Sequence, residues 1–308
     1  MSKLANLPLI SIIMNCYNGE RHLKMAIDSV YAQGYSHWEI IFWDNQSTDQ
    51  SASIAKNYDD RLRYFRAETH TTLGGARHLA LKKARGEYIT FLDCDDSFVP
   101  DRLQLQVRFM QQSGFLFSYG AAEVIDESGN CLFIQQPRHK SGDILVPLLY
   151  HHDINTQSVM IHRQVFENHW CQFNSTFVCC VDYYLYMLIA NHYPIGIMPE
   201  ILSKYRKSNN SLSKRSLHHV SKEVGHTLNT LEMMNSDKIC TPEFRRAIQF
   251  MKKKLSYYQA VSHVSNAHYS KALKMMRRIW FQRLNYFIFT LMVAFRLPSS
   301  IILKALRR

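Results

Sequence analysis

The sequence predicts an α/β domain built on a mainly parallel sheet, followed by a basic helical region at the C-terminus. Short β-branched runs alternate with apolar residues at helical spacing through the first third of the chain. Polar clusters rich in Asp, Asn and Ser stand at the ends of those runs. After about Ser211 glycine and proline become scarce and helical spacing persists to the end, so the expected division is 1–215 and 216–308.

Leu9 to Met14 is a continuous apolar run, read as a first buried strand. Leu23, Ala26, Ile27 and Val30 then recur at helical spacing, with Gly34 placed as a C-terminal cap. Glu39 to Trp43 reads as the next strand and runs into the turn-forming cluster Asp44 to Asp49. Gly74 and Gly75 open a helix carrying Ala76, Leu79, Ala80 and Ala84, which Gly86 ends before the strand Tyr88 to Leu92. Pro100 suits the first turn of a further helix with Leu103, Val107 and Met110 on one face and Gly114 beyond it. In the less regular middle third, Asp126-Glu127-Ser128-Gly129 reads as a hairpin turn and Val181 to Ala190 as a helix.

A chain of 308 residues with 46% hydrophobic content can build a proper core. Its seven cysteines include no CxxC pair, which fits free thiols in a reducing cytosol. The segment Leu7 to Met14 lacks the basic flank and cleavage site of a leader, and the run Phe287 to Phe295 is too short to span a bilayer. The expectation is a cytoplasmic chain, peripheral at most to the inner face of the cytoplasmic membrane. The net charge of +12 is uneven: 14 Lys and Arg and no Asp or Glu follow from Phe244 onward, leaving −2 (12 less 14) for the part before it.

In open α/β sheets ligands bind at the carboxyl ends of the strands. Three clusters are expected there: Asn15-Cys16-Tyr17-Asn18, Asp44-Asn45 and Asp93-Cys94-Asp95. Two carboxylates at a strand end offer the hard oxygen ligands that Mg2+ or Mn2+ takes when shared with a diphosphate. A calcium loop would need glycine where Phe98 stands. The glycine-rich dinucleotide fingerprint, the Walker A loop and the HExxH zinc motif are all absent, and His151-His152 and His218-His219 are adjacent pairs unsuited to a shared helix face.

Taken in order, SIIMNCYNGE, EIIFWDNQSTDQS and LGGARHLALKKARGEYITFLDCDD resemble the family 2 glycosyltransferases of the GT-A fold, a Rossmann-like, mainly parallel arrangement. The resemblance is detailed over residues 8 to 112 and looser to about 213. It implies a metal-dependent, inverting hexosyltransferase drawing on a nucleotide diphosphate sugar, most often a UDP-sugar. By the same resemblance Tyr17 and Asp44 contact the base, Asn15, Cys16, Asn18 and Asn45 line the nucleotide site, Asp93 meets the ribose or a metal-bound water, and Asp95 ligates the metal. Arg77 matches a donor-binding arginine, although His78 follows it where the family has asparagine.

Inversion needs a base for the acceptor hydroxyl. Asp182 matches the family's aspartate at a helix start, with Val181 where a glutamate is usual; a helix-capping aspartate is the alternative. Tyr205-Arg206-Lys207-Ser208 resembles a further family signature in which Ser208 stands at a histidine position, and Arg206 would neutralise the leaving phosphate. The acceptor implied is a glycan or a lipid-linked sugar, as in lipopolysaccharide, capsule or other cell-surface glycan synthesis. A nucleotidyltransferase would need a glycine-rich loop and lysine that Asn15 to Glu20 lacks, while Val181 and Ser208 keep open an idle nucleotide-sugar-binding protein. The tail over 244–308 mixes its cations with Trp280, Phe281, Tyr286, Phe287, Phe289 and Phe295. That composition suits an anionic membrane surface, packing on the catalytic domain or, least favoured, nucleic acid.

Overall fold

β1 (Ile10–Cys16) pairs in parallel with β2 (Trp38–Asp44) and β4 (Tyr88–Phe91), and β2 pairs in parallel with β3 (Leu62–Arg66). The computed structural model describes residues 7–208, 217–236, 241–265, 267–277, 279, 284–295, 297, 299 and 302. The chain separates into two units, Met1–Ser211 and Leu212–Arg308. The expected division near Ser216, residues 209–213 of the Tyr205 signature, and Trp280 and Phe281 lie outside the described residues.

The order across the sheet is β3-β2-β1-β4-β8-β6-β9-β5. β8 (Met160–His162) runs antiparallel to both β4 and β6 (Phe117–Ile125). β9 (Gly196–Arg206) is parallel to β6 and antiparallel to the short β5 (Ser97–Phe98). β7 (Cys131–Gln135) forms the expected hairpin with β6, its turn held by Asp126 Oδ1 accepting from Ser128 N and Asn130 N, with Gly129 at φ +92.

Period-two alternation sends Ile10, Ile12, Met14 and Cys16 of β1 into one core with Ile40 and Phe42 of β2. α1 (Glu20–Tyr31) covers it with the expected Leu23, Ala26, Ile27 and Val30, and α4 (Arg102–Ser113) adds Leu103, Val107 and Met110 before Gly114 closes it at φ +74. Between them run α2 (Ser51–Lys56) and α3 (Leu73–Leu81), and later in the unit α5 (Leu145–Tyr150) and α6 (Val181–His192).

Two glycine expectations are corrected. α1 ends at Tyr31 with Ala32 as its cap, ahead of Gly34. α3 ends at Leu81 with Lys82 as cap, and Gly86 serves a close approach instead: a Cβ there would lie 2.4 Å from Ser11 N and 2.7 Å from Leu9 O. The β1 and β2 strands also run further than expected, so that Asn15, Cys16 and Asp44 are strand residues and not loop residues.

The second unit consists of α7 (Leu217–Met234), α8 (Pro242–Ser265), α9 (Tyr269–Met276) and α10 (Leu284–Ala294) among its described residues. Ala260, Val264, Ala272, Met276, Phe289 and Val293 form a core of its own. No helix among the described residues is long and apolar enough to cross a membrane.

Ser11 ties β1, β2 and the approach to β4 together. Its buried hydroxyl donates to Glu39 Oε1 at 2.7 Å and accepts from Gly86 N at 2.8 Å and Arg85 N at 3.1 Å. Arg85 N also donates to Glu39 Oε1 at 2.7 Å, so Ser11→Ala strands chiefly the buried Gly86 N, and urea unfolding should show a loss of about 1–3 kcal/mol. A midpoint unchanged from wild type would contradict that role.

Candidate active site

The carboxyl ends of β1, β2 and β4 bring the polar clusters to one edge of the sheet, and a buried arginine joins two of the predicted carboxylates. Arg77, 2% exposed, donates through Nη2 to Asp93 Oδ1 at 3.1 Å and through Nη1 to Asp182 Oδ1. Asp93 keeps 40% of its side chain exposed and Asp182 keeps 22%. Side chains from α3, the end of β4 and the first turn of α6 thus meet at one guanidinium.

Local sequence explains the meeting. Thr72 caps α3 by accepting from Gly75 N at 3.0 Å, and Gly74 N donates to Phe177 O at 3.0 Å. A Cβ on Gly74 would lie 2.0 Å from Asn174 O. Glycine is therefore required for α3 to rest on the segment leading into α6, and this contact aligns Arg77 with Asp182. Asp93 is fixed from its other side by the buried Gln157, whose Nε2 donates to Asp93 Oδ2 at 2.7 Å while its Oε1 accepts from Asp93 N at 2.9 Å.

Asp95 is half-buried. Among the described residues no neighbour donates a hydrogen bond to its carboxylate oxygens, unlike those of Asp93. Burial, then the charge of Asp93, pushes its pKa up to about 6. A carboxylate so placed favours a proton or a cation, and its oxygens are the hard donors that Mg2+ or Mn2+ takes. The buried Asp96 is pushed well above the usual carboxylate range by burial and by Asp95 and Asp93, and accepts from Arg206 N at 2.7 Å.

At the β1 and β2 ends, Tyr17 is 55% exposed and meets the His70 ring edge-on at 4.4 Å. His70 Nδ1 lies 2.9 Å from Asn45 O. Asn45 in turn binds Thr71 through both ends of its amide, Oδ1 accepting from Thr71 N at 3.1 Å and Nδ2 donating to Thr71 O at 2.9 Å. Asn18, at φ 54, accepts from Thr48 N at 2.8 Å and so latches the first loop to the second. Tyr17 and His70 present aromatic surface suited to stacking on a base.

Three predicted donor contacts are instead sealed inside the framework. Asp44, with no exposed surface, accepts from Ser47 N at 2.7 Å, Tyr64 Oη at 2.5 Å and Arg66 Nη1 at 3.0 Å. Cys16 is buried, and the hydrogen bond from the Cys94 thiol holds it below the ordinary thiol range. Arg206, 5% exposed, is engaged by backbone carbonyls: it donates to Asp95 O at 3.0 Å, Asp126 O at 2.9 Å and Glu127 O at 3.1 Å. Its role here is to fix the backbone of Asp95. Asn15 is half-buried, and its Nδ2 is buried without a partner among the described residues. Gln157 and His70 were not expected from sequence. Both sit in irregular polar segments where no periodicity or motif marks them.

The profile of Glycosyl transferase family 2 matches residues 11–170. An E. coli protein named UDP-Glc:alpha-D-GlcNAc-diphosphoundecaprenol beta-1,3-glucosyltransferase WfgD is 30% identical over 218 residues, covering 70% of this chain and 83% of that protein. An uncharacterized glycosyltransferase of Haemophilus influenzae is 37% identical over 162 residues, 52% of this chain and 64% of its own, a little under two thirds. The putative teichuronic acid biosynthesis glycosyltransferase TuaG of Bacillus subtilis is 33% identical over 51% of this chain and 63% of its own. Among solved structures, S. aureus TarS in complex with UDP-GlcNAc superposes with a TM-score of 0.61 at 15% identity, covering 86% of this chain and 88% of that one. The mannosyltransferase PcManGT of Pyrobaculum calidifontis, in complex with GDP-Man and Mn2+, gives 0.58 at 16% identity, covering 96% and 87%. The chain belongs to glycosyltransferase family 2, and its fold is of the GT-A type. It is a glycosyltransferase.

The raised Asp95 carboxyl makes stability depend on pH. Its pKa is about 6 in the folded chain against 3.8 in an open one, so the metal-free folded form binds more protons between those values. Stability from this group is full below the lower value and is lost as pH rises through the upper one. Asp95→Asn should therefore gain stability over wild type progressively from about pH 4 to 6 when unfolding is measured in chelator. A difference that stays flat across that window would contradict the assignment.

Proposed function

We propose that the chain transfers a hexose-like unit, with inversion, from a UDP-sugar to an acceptor hydroxyl in a cell-surface glycan or on a lipid-linked intermediate. The observation that carries this reading is the Arg77 bridge, which brings the Asp182 carboxylate to the same site as the Asp93-Cys94-Asp95 segment. The UDP-GlcNAc complex of TarS supports a uridine nucleotide, and the Mn2+ complex of PcManGT supports a divalent metal. The names of WfgD and TuaG support a surface-glycan acceptor, the former a lipid diphosphate-linked one.

In this reading Asp95, with Asp93 beside it, holds Mg2+ or Mn2+, which when bound supplies a Lewis acid for the leaving diphosphate. Asp182 takes the proton from the acceptor hydroxyl as that oxygen bonds to the anomeric carbon and the bond from that carbon to the diphosphate oxygen breaks. Arg77 holds Asp182 and Asp93 in fixed relation, and Gln157 orients Asp93 from the opposite side. Tyr17 and His70 bound the base. Asp44, Cys16 and Arg206 support the loops from beneath.

Asp182→Asn is expected to abolish transfer while UDP still binds with metal. Asp95→Ala should remove both transfer and the metal-dependent part of UDP binding. Calorimetry of UDP with and without Mn2+, run beside a transfer assay, checks both. Full turnover in either variant would contradict its role, and donor binding with neither transfer nor hydrolysis in the wild type would favour a nucleotide-sugar-binding protein without catalysis.

A further inference from the structure

The C-terminal unit carries an apolar surface that its own core does not use. α10 is apolar nearly all the way round. Tyr286, Phe289 and Val293 enter the unit's core beside Ala272 and Met276. On the other side Phe287, Ile288, Leu291 and the following Phe295 are 37, 46, 40 and 77% exposed. At the pitch of an α-helix these four fall within about 100° of arc, a continuous stripe.

Cations flank the stripe. A cavity of about 590 Å³ opens between α9 and α10, with Leu273, Leu291 and Ala294 in its apolar lining and Lys274 and Arg277 beside them. Lys271, Lys274 and Arg277 are exposed and recur every third residue. None of the three joins an ion pair among the described residues, and from Phe244 onward the sequence holds no Asp or Glu that could neutralise them.

An occupant must therefore be apolar at one depth and anionic at the next. A second copy of the chain would cover the apolar stripe only by bringing two rows of unpaired cations together. Nucleic acid would satisfy the cations and leave Ile288, Leu291 and Phe295 in water. An anionic phospholipid leaflet meets both demands, with phosphates above the acyl boundary. α10 has 11 residues. At ~1.5 Å each it is about half as long as a hydrocarbon core is thick, so it can lie along a bilayer but not cross one.

We infer that the stripe Phe287-Ile288-Leu291-Phe295 and the row Lys271-Lys274-Arg277 seat this chain on the surface of an anionic phospholipid bilayer. The inference stands apart from the catalytic reading, since lipid binding is measured without any transfer assay.

The test is co-flotation of the full chain with vesicles of phosphatidylcholine alone or mixed with phosphatidylglycerol. Binding is expected only to the anionic vesicles, and it should weaken as salt rises from roughly 0.1 to 0.5 M. K271Q/K274Q/R277Q should weaken binding about a hundredfold, at about fivefold per cation. The control K56Q/K82Q/K83Q, with the same change in net charge, should bind as wild type does. Phe295→Ser, at an exposed position that leaves the core intact, should also weaken binding. Any of the following overturns the proposal: no binding by wild type, equal binding to both vesicle types, equal loss in the control triple, or a dimer in sedimentation equilibrium that Phe295→Ser dissolves. Release from anionic vesicles by duplex RNA with the stripe variants unaffected would also overturn it, in favour of nucleic acid.

Discussion

A guanidinium that is almost wholly removed from water has to be met by charge, and at Arg77 two carboxylates from distant parts of the chain meet it. Taking such a charge out of water costs several kcal/mol, which the two partly exposed carboxylates offset. The geometry of the site follows from that constraint. Asp93 comes with the end of β4, Asp182 with the first turn of α6, and the planar fork of the arginine sets the separation between them. The arrangement extends outward through contacts that tolerate little change. Gly74 must remain without a side chain for α3 to reach Asn174, and Gln157 must present both ends of its amide for Asp93 to face Arg77.

The same edge of the sheet separates two kinds of polar residue. Some, such as Tyr17, Asp93 and Asp95, keep surface or unfilled oxygen valence and are chemically available. Others, such as Asp44 and Arg206, have every polar atom directed into the protein and hold the available ones in position. Arg206 is a clear case: its Nε donates a hydrogen bond to Asp95 O, so it holds the backbone of the Asp93-Cys94-Asp95 segment from within the protein. This division leaves the half-buried Asp95 carboxylate without an ion pair of its own among the described residues, while Arg77 and Gln157 hold Asp93 beside it.

Much of this was legible in the sequence. The alternation of elements, the strand ends carrying Asp93 and Asp95, and the helix opening at Val181 all follow from periodicity and from turn-forming residues. What was not legible was the direction of individual side chains. A strand that runs two residues further than its apolar stretch turns Cys16 inward by period-two alternation, and the register of β1 against β4, Ile13 opposite Phe91, carries it toward Cys94. Asp44 is likewise drawn under the sheet edge by Tyr64 and Arg66 of β3, a strand that the sequence reading did not identify. Gln157 and His70 act through contacts with residues far along the chain, 64 positions in the case of Gln157 and Asp93, which no local pattern encodes.

In the proposed chemistry Asp95 faces a cation in the site that Arg77 and Asp182 share. Anomalous diffraction from crystals of the protein grown with UDP and Mn2+ examines that arrangement directly. The manganese signal is predicted against the Asp95 carboxylate, with Arg77 still joining Asp93 to Asp182 beside the diphosphate. Manganese bound away from Asp95, or a nucleotide seated where Asp182 has no access to it, would contradict the account.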